Sequence, residues 1–155
     1  EENRTVKKYM IHLNTRRCVA CHGCEVHCKV SKNLPVGPFL CEVSCTPLQM
    51  VGGVPRLEFT FSACRHCDDP LCAPVCPTEA MVQREDGIVY IDSEKCIGCM
   101  NCTKACPWDI PVKNPDDNKA VKCDLCMDRL DAGLKPACVA KCTTHALKLV
   151  ELQPV

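Results

Sequence analysis

Residues 96–107 read Cys96-Ile97-Gly98-Cys99-Met100-Asn101-Cys102-Thr103-Lys104-Ala105-Cys106-Pro107, a C-x2-C-x2-C-x3-C-P run. This is the cysteine spacing of bacterial iron–sulfur ligation. Three closely spaced thiolates fit three corners of one 4Fe-4S cube. The fourth, followed by proline, is carried off on a short helical turn and serves a second cube. Such a run cannot work alone, and the chain supplies partners for it. Cys18, Cys21, Cys24 and Cys28 repeat the spacing; Cys64, Cys67, Cys72 and Cys76-Pro77 form C-x2-C-x4-C-x3-C-P; Cys123, Cys126, Cys138 and Cys142 form C-x2-C-x11-C-x3-C. The four units use sixteen of the eighteen cysteines, ligands enough for four 4Fe-4S clusters.

Disulfides and zinc account for so much cysteine less well. Cysteine makes up about a ninth of the chain, above the ~8–10% that marks a disulfide scaffold in a short secreted protein. A disulfide framework, however, has no need of four repeats of one quartet spacing. Zinc sites prefer two C-x2-C pairs separated by a longer arm. The last unit alone could pass for one. The C-x2-C-x2-C-x3-C runs could not, because three cysteines that close suit the corners of a cube better than one tetrahedral ion.

The chain has 155 residues, room for one domain or two small ones, with only three Phe, two Tyr and one Trp. A core so poor in aromatics leaves space for inorganic clusters to fill and cross-link, so the iron-free chain is expected to be largely unfolded. The formal net charge is zero, but four thiolate-bound clusters add roughly −8. Lys29, Lys32, Arg65, Lys95, Lys104, Lys122, Arg129 and Lys141 lie near the motifs and partly offset that charge. There is no basic block and no interleaving of aromatic with basic residues, so no nucleic-acid partner is expected. No stretch approaches the ~18–20 apolar residues of a membrane span. The polar start, Glu-Glu-Asn-Arg, carries no signal-peptide core. Direct membrane insertion is therefore not expected, and a membrane link would need another subunit.

Residues 6–13 read as a strand leading into the first motif. The same order, strand then cysteine loop, recurs at Leu57–Phe61, Ile88–Ile91 and Ala120–Lys122. After the fourth cysteine of a unit a short helix should give way to a strand, at Ala80–Gln83 and Ala146–Leu152. Asp86-Gly87 signals a two-residue hairpin turn. Residues 29–56, rich in Pro and Gly, read as an ordered surface loop, and 107–119 as a second connector. Met127–Ala132 reads as a helical turn ended by Gly133. No disordered tail is expected. The class is α+β, with short strands, short helices and long cluster-binding loops.

These four quartets, in this order, resemble the four-cluster iron–sulfur subunits of molybdenum and tungsten pterin oxidoreductases, such as those of dimethyl sulfoxide reductase, formate dehydrogenase and nitrate reductase, and the small polyferredoxin partner of tungsten aldehyde oxidoreductases. The resemblance covers about residues 6–152, and all sixteen cysteine positions match. It implies two nested two-cluster ferredoxin-like modules. The outer one comprises residues 1–53 and 113–155, the inner one 54–112. It also implies the ligand sets. One cluster takes Cys18, Cys21, Cys24 and Cys142; the next takes Cys123, Cys126, Cys138 and Cys28. The third takes Cys64, Cys67, Cys72 and Cys106; the fourth takes Cys96, Cys99, Cys102 and Cys76. In that family the first cluster faces the catalytic subunit. Spacing alone implies only that fourth ligands are exchanged.

Three departures from the family pattern stand out. Nitrate-reductase-type subunits place Trp in the third quartet and hold a three-iron cluster, whereas here Cys99 is intact and Trp108 lies outside, so four cubes are expected. Many relatives have proline after the last cysteine, where this chain has Thr143. Many are longer, with a C-terminal extension, and the short chain favours a soluble partner, as in a tungsten aldehyde oxidoreductase or a soluble formate dehydrogenase. Cluster insertion needs a reducing compartment and points to the cytoplasm, with the periplasm reached by co-export on a partner.

The remaining residues carry weaker signals. Cys41 and Cys45 are left over and read as unreactive thiols, with a helical i, i+4 placement as an option. His22, His27 and His66 sit inside the motifs and read as surface or hydrogen-bonding residues rather than ligands. Gly23 and Gly98 read as tight-loop positions beside ligand cysteines. Sixteen ligands for four cubes leave no open iron, and no catalytic residues are expected. The chain should be an electron conduit between a large molybdenum- or tungsten-pterin catalytic subunit and a second redox subunit (one carrying flavin, for instance) or a soluble carrier. The alternative is a free-standing polyferredoxin.

Overall fold

The computed structural model describes residues 8–152. Its first and last strands are partners. β1 (Lys8–Leu13) pairs antiparallel with β10 (Leu147–Leu152), in register from Lys8↔Leu152 to Leu13↔Leu147. The ladder puts Ile11 and Leu13 against the same apolar cluster as buried Leu147. The strand expected at 6–13 is thus found from Lys8; residues 6 and 7 lie outside the described residues, as does the last stretch of the expected ordered tail.

Behind this ladder lie α1 (Gly23–Ser31) and α4 (Ala137–Ala140), which pack on each other. The cluster they enclose contains Cys24, Cys28, Leu40, Cys41, Val43, Cys123, Cys138, Val139 and Leu147. Five of its nine members are cysteines, so sulfur takes the place that aromatic rings hold in ordinary cores. A second, smaller cluster of Met81, Val89, Cys102 and Ala120 sits under β6 (Met81–Gln83), β7 (Val89–Ile91), α2 (Asn101–Ala105) and β9 (Ala120–Val121). All five sheets among the described residues are two-stranded. Short strands, short helices and long loops make this the small α+β architecture expected.

The connector at 29–56 is the main correction. It is not a loop but holds α1's last turn, β2 (Cys41–Cys45) and the hairpin β3 (Gln49–Val51) and β4 (Val54–Arg56). β2 pairs with β5 (Phe59–Ala63) from Cys41↔Ala63 to Cys45↔Phe59. Its alternation buries Cys41 and Val43 and exposes Glu42 and Ser44, a period-2 pattern masked by the surrounding Pro and Gly. Those glycines serve as a turn: Gly52 and Gly53 have φ of 59° and 80° between β3 and β4. Cys41 and Cys45 are therefore on a strand, not a helix. β5 also begins two residues later than the expected Leu57–Phe61.

Smaller differences follow from local geometry. The β6–β7 hairpin has a three-residue loop instead of two, because Arg84 N–H donates to Ile88 O at 2.8 Å and Gly87 takes a left-handed φ of 79°. The connector at 107–119 contributes β8 (Val112–Lys113), paired with β9. After Cys76 and Cys142, residues 77–78 and 143–144 form turns rather than the expected short helix. α3 (Met127–Asp131) matches the expected helical turn and gives way at Gly133, φ 73°.

Candidate metal centre

One local device recurs in all four cysteine units. The residue before the second cysteine has a left-handed backbone: Ala20 φ 49°, His66 φ 47°, Gly98 φ 71° and Leu125 φ 54°. That inversion curls the C-x2-C loop. A further left-handed residue, His22, Met100 or Cys126, then starts α1, α2 or α3. Side chains with a Cβ accept this conformation at a cost of roughly 1–2 kcal/mol each. Gly98 differs for another reason: a Cβ there would lie 2.1 Å from the carbonyl oxygen of Asn118. Gly23, expected to be a similar loop residue, is the first residue of α1, and a Cβ there would meet only Cys21 Sγ at 3.5 Å.

The loops deliver cysteines from different units to common cavities. One cavity is lined by Cys18, Cys21, Cys24 and Cys142 with Leu13, Val43 and Ala146. Another is lined by Cys28, Cys123, Cys126 and Cys138, and also by Cys41. A third is lined by Cys76, Cys96, Cys99 and Cys102. Cys72 is close enough to Cys64 and Cys106 for both to oppose its ionisation. Cys67 follows left-handed His66 in the same loop. Cys142 therefore lies away from Cys123, Cys126 and Cys138, which removes the zinc reading of the last unit. Among the described residues, no three His, Cys, Asp or Glu side chains converge on a point fit for a single ion.

The thiol chemistry fits a cluster with four thiolate ligands. Burial pushes Cys24 and Cys72 up to about 11 and Cys123 up to about 12. Burial also raises Cys102, Cys126 and Cys138. Such thiols stay protonated unless a metal takes the proton's place, as a coordinating metal does outright. Cys76 and Cys142 behave differently. Burial raises them, but backbone donors and the neighbouring Thr78 or Thr144 hydroxyl outweigh it, and both fall below the ordinary thiol value. Ala80 N–H donates to Cys76 Sγ and Ala146 N–H to Cys142 Sγ, each at 3.2 Å. Left-handed Glu79 and His145, φ 53° and 52°, complete identical turns. Thr143 in place of proline thus leaves the last turn unchanged.

Several residues outside the cysteine spacing hold this frame. Glu25, buried on α1, accepts from Val43 N–H at 2.6 Å and pairs with His22 Nδ1 at 3.0 Å, fixing α1 to β2. Lys32 bridges Asp124 and Asp128 at 2.8 and 3.2 Å, tying α1 to the last unit. His66 is 2% exposed, not at the surface, and its Nδ1 accepts from Val89 N–H at 3.0 Å. Burial, and then the nearby Lys122 cation, lower it to about 3, so it is neutral. Cys41 is buried, and its thiol, held protonated first by Cys28 and then by burial, lowers Cys28. Cys45 is exposed. Trp108 carries the Arg65 guanidinium 4.2 Å from its ring centre.

Comparison with known proteins agrees with this geometry. Residues 55–152 match the family described as the 4Fe-4S dicluster domain. The chain is 42% identical over 146 residues to a tetrathionate reductase subunit of Salmonella typhimurium, covering 90% of this chain and 56% of that one. It is 39% identical over 152 residues to the thiosulfate reductase electron transfer subunit of Salmonella typhi, covering 97% and 79%. Identity to one of the polypeptides of anaerobic dimethyl sulfoxide reductase of Escherichia coli is 39% over 147 residues, covering 90% and 72%. The chain thus spans little more than half of the first of these relatives and about three quarters of the other two. Cysteine quartets, buried thiols and matched sequence together make this chain a member of the 4Fe-4S dicluster family of iron–sulfur proteins.

Proposed function

We propose that the chain is an electron-transfer subunit carrying four 4Fe-4S clusters, working between a large molybdenum- or tungsten-pterin catalytic subunit and a second redox subunit or carrier. The observation that supports this best is the sharing of helices and turns between cavities. Cys24 and Cys28 sit four residues apart on α1 yet line different cavities, a separation of about 6 Å along a helix. Cys102 and Cys106, at the two ends of α2, divide in the same way. When bound, the clusters supply one-electron carriers whose potentials respond to charge, sulfur hydrogen bonds and exposure. The chain's own residues bury Cys24, Cys28, Cys102, Cys123, Cys126 and Cys138, present N–H groups to Cys76 and Cys142, and hold neighbouring quartets a helical turn apart.

The ligand sets and nested modules belong to this proposal. The outer module, residues 1–53 and 113–155, gains support from the β1–β10 ladder and the α1–α4 packing; the inner one spans 54–112. The β2–β5 pairing runs across the division at 53/54. Relatives named for tetrathionate, thiosulfate and dimethyl sulfoxide reduction favour a partner that reduces oxygenated sulfur compounds over an aldehyde oxidoreductase. The exposed hairpin side chains Leu48, Met50, Val51 and Val54 offer an apolar surface for a docked subunit. That favours a fixed subunit over a free polyferredoxin. Among the described residues no helix is long and apolar enough to cross a membrane. A cytoplasmic site, or a periplasmic one reached by co-export, is part of the same proposal.

Elemental analysis of the anaerobically purified native complex tests the reading. About sixteen iron and sixteen sulfide per chain are expected for four cubes, with molybdenum or tungsten co-purifying. Iron without a second metal would point to the free carrier, and zinc in place of iron would reject both. A single substitution tests the nesting. Cys142→Ser should cost about four iron, one cube, with the spectra of the other cubes retained. Loss confined to the clusters on Cys64, Cys67, Cys72, Cys96, Cys99 and Cys102 would show the ligand sets to be wrongly drawn.

A further inference from the structure

Lys122 is 6% exposed, yet no carboxylate pairs with it among the described residues. Its Nζ donates to Cys64 Sγ at 3.3 Å, to Cys123 O at 3.0 Å and to Val89 O. A buried ammonium satisfied by two carbonyls and one thiol would be expensive, because carbonyls solvate a cation but do not neutralise it. The arrangement makes sense if Cys64 is anionic, as a cluster ligand is. The position is also particular. Cys64 belongs to the second unit and Cys123 to the fourth, so the ammonium stands at the join between two quartets rather than beside one. Its orientation is fixed twice: the Val89 peptide gives its carbonyl to Lys122 and its N–H to His66 Nδ1. Neutral His66 therefore carries its proton on Nε2, which is buried and without a partner among the described residues, one residue from Cys67.

We propose that Lys122 is the positioning residue that tunes electron transfer across the join between the two modules: its ammonium, bonded to Cys64 Sγ, raises the reduction potential of the cluster on Cys64, Cys67, Cys72 and Cys106 above the value its ligands alone would set. The physics is direct. Reduction adds one negative charge to a cluster, and a fixed cation within bonding distance of a ligand sulfur stabilises the reduced form more than the oxidised one. An N–H···S bond to a thiolate acts in the same direction. The cluster served by Cys123 receives the weaker influence, since Lys122 touches only the backbone carbonyl of that residue. Electrons are thereby favoured at the middle of the conduit.

This rests on the four-cluster reading above, and the experiment separates the two. Wild-type, Lys122→Met and Lys122→Arg proteins are purified anaerobically as the native complex, assayed for iron, and titrated with dithionite while the clusters are followed by electron paramagnetic resonance. Wild type lacking iron would reject the four-cluster reading itself. With iron present, Lys122→Met should keep the wild-type iron content and lower one midpoint most. That shift should be at least tenfold in the reduced-to-oxidised ratio at fixed potential, about 59 mV for a one-electron couple. Lys122→Arg should restore most of the shift. Four unchanged midpoints, or one uniform shift in all of them, would overturn the proposal. Should Lys122→Met fail to hold its iron, wild type grown with 15Nζ-labelled lysine decides by pulsed electron paramagnetic resonance. A 15N coupling to a single reduced cluster is expected, and its absence overturns the proposal.

Discussion

Gly98→Ala is expected to abolish the cluster on Cys76, Cys96, Cys99 and Cys102, while Gly23→Ala is tolerated. Both glycines precede a ligand cysteine in a C-x2-C-x2-C frame, so residue type alone does not separate them. Space does. A methyl at Gly98 would sit 2.1 Å from Asn118 O and 3.1 Å from the Asn118 carbonyl carbon, backbone atoms that cannot rotate aside. Asn118 has a left-handed φ of 59° and leads directly into β9, which pairs with β8 and carries buried Ala120 beside the same cysteines. Relief of the clash therefore means moving either the cysteine loop or the ladder. The left-handed Cβ costs about 1–2 kcal/mol and the overpacking about 1–3 kcal/mol more. A sum of that size is a large part of the ~5–15 kcal/mol that holds a domain together. The readout is iron per chain and the spectrum of the remaining clusters. A Gly98→Ala protein with full iron would show that the loop yields far more easily than its contacts imply. At Gly23 the added methyl meets Cys21 Sγ at an ordinary 3.5 Å and gains helix propensity of up to about 1 kcal/mol.

Removal of iron by an anaerobic chelator should unfold the chain as a whole. Its sheets are all two-stranded among the described residues, and an isolated two-stranded ladder is marginal in water. The larger apolar cluster owes five of nine members to cysteine. Structural metal in small domains contributes about 10–16 kcal/mol, the same scale as total stability. The expected result is loss of near-ultraviolet circular dichroism and of amide protection throughout, including β1 and β10. Protection that survives in the β1–β10 ladder of the iron-free protein would contradict this.

The cysteine frame is legible because ligand spacing is local: Cys96 to Cys106 is one loop and one helix, and its reading needs no tertiary information. Strands next to the motifs are legible for the same reason, within two residues. β2 is not, because Val43 and Cys41 alternate inside a stretch whose Pro and Gly dominate any window, and its pairing with β5 is a contact across the chain. Gly98 and Gly23 look alike in sequence because what distinguishes them is Asn118, twenty residues beyond Gly98. Lys122 reads as one of eight scattered cations. Its importance depends on burial and on three acceptors supplied by Cys64, Val89 and Cys123, which no spacing rule brings together. His66 reads as a surface or hydrogen-bonding residue; the hydrogen bond is found, but nothing in a cysteine loop tells that the Val89 peptide supplies it or that the ring is buried.

The β1–β10 ladder has a consequence for the order of synthesis. Leu13 cannot meet Leu147 until more than 130 further residues have left the ribosome, a delay of roughly 7–27 s at ~5–20 residues per second. Through that interval Cys18, Cys21, Cys24 and Cys28 are already exposed, without Cys138 and Cys142 to complete their cavities. The first cysteines made are thus the last to be enclosed, and they are the ones that a nascent chain must shield longest from oxidation and from the wrong metal.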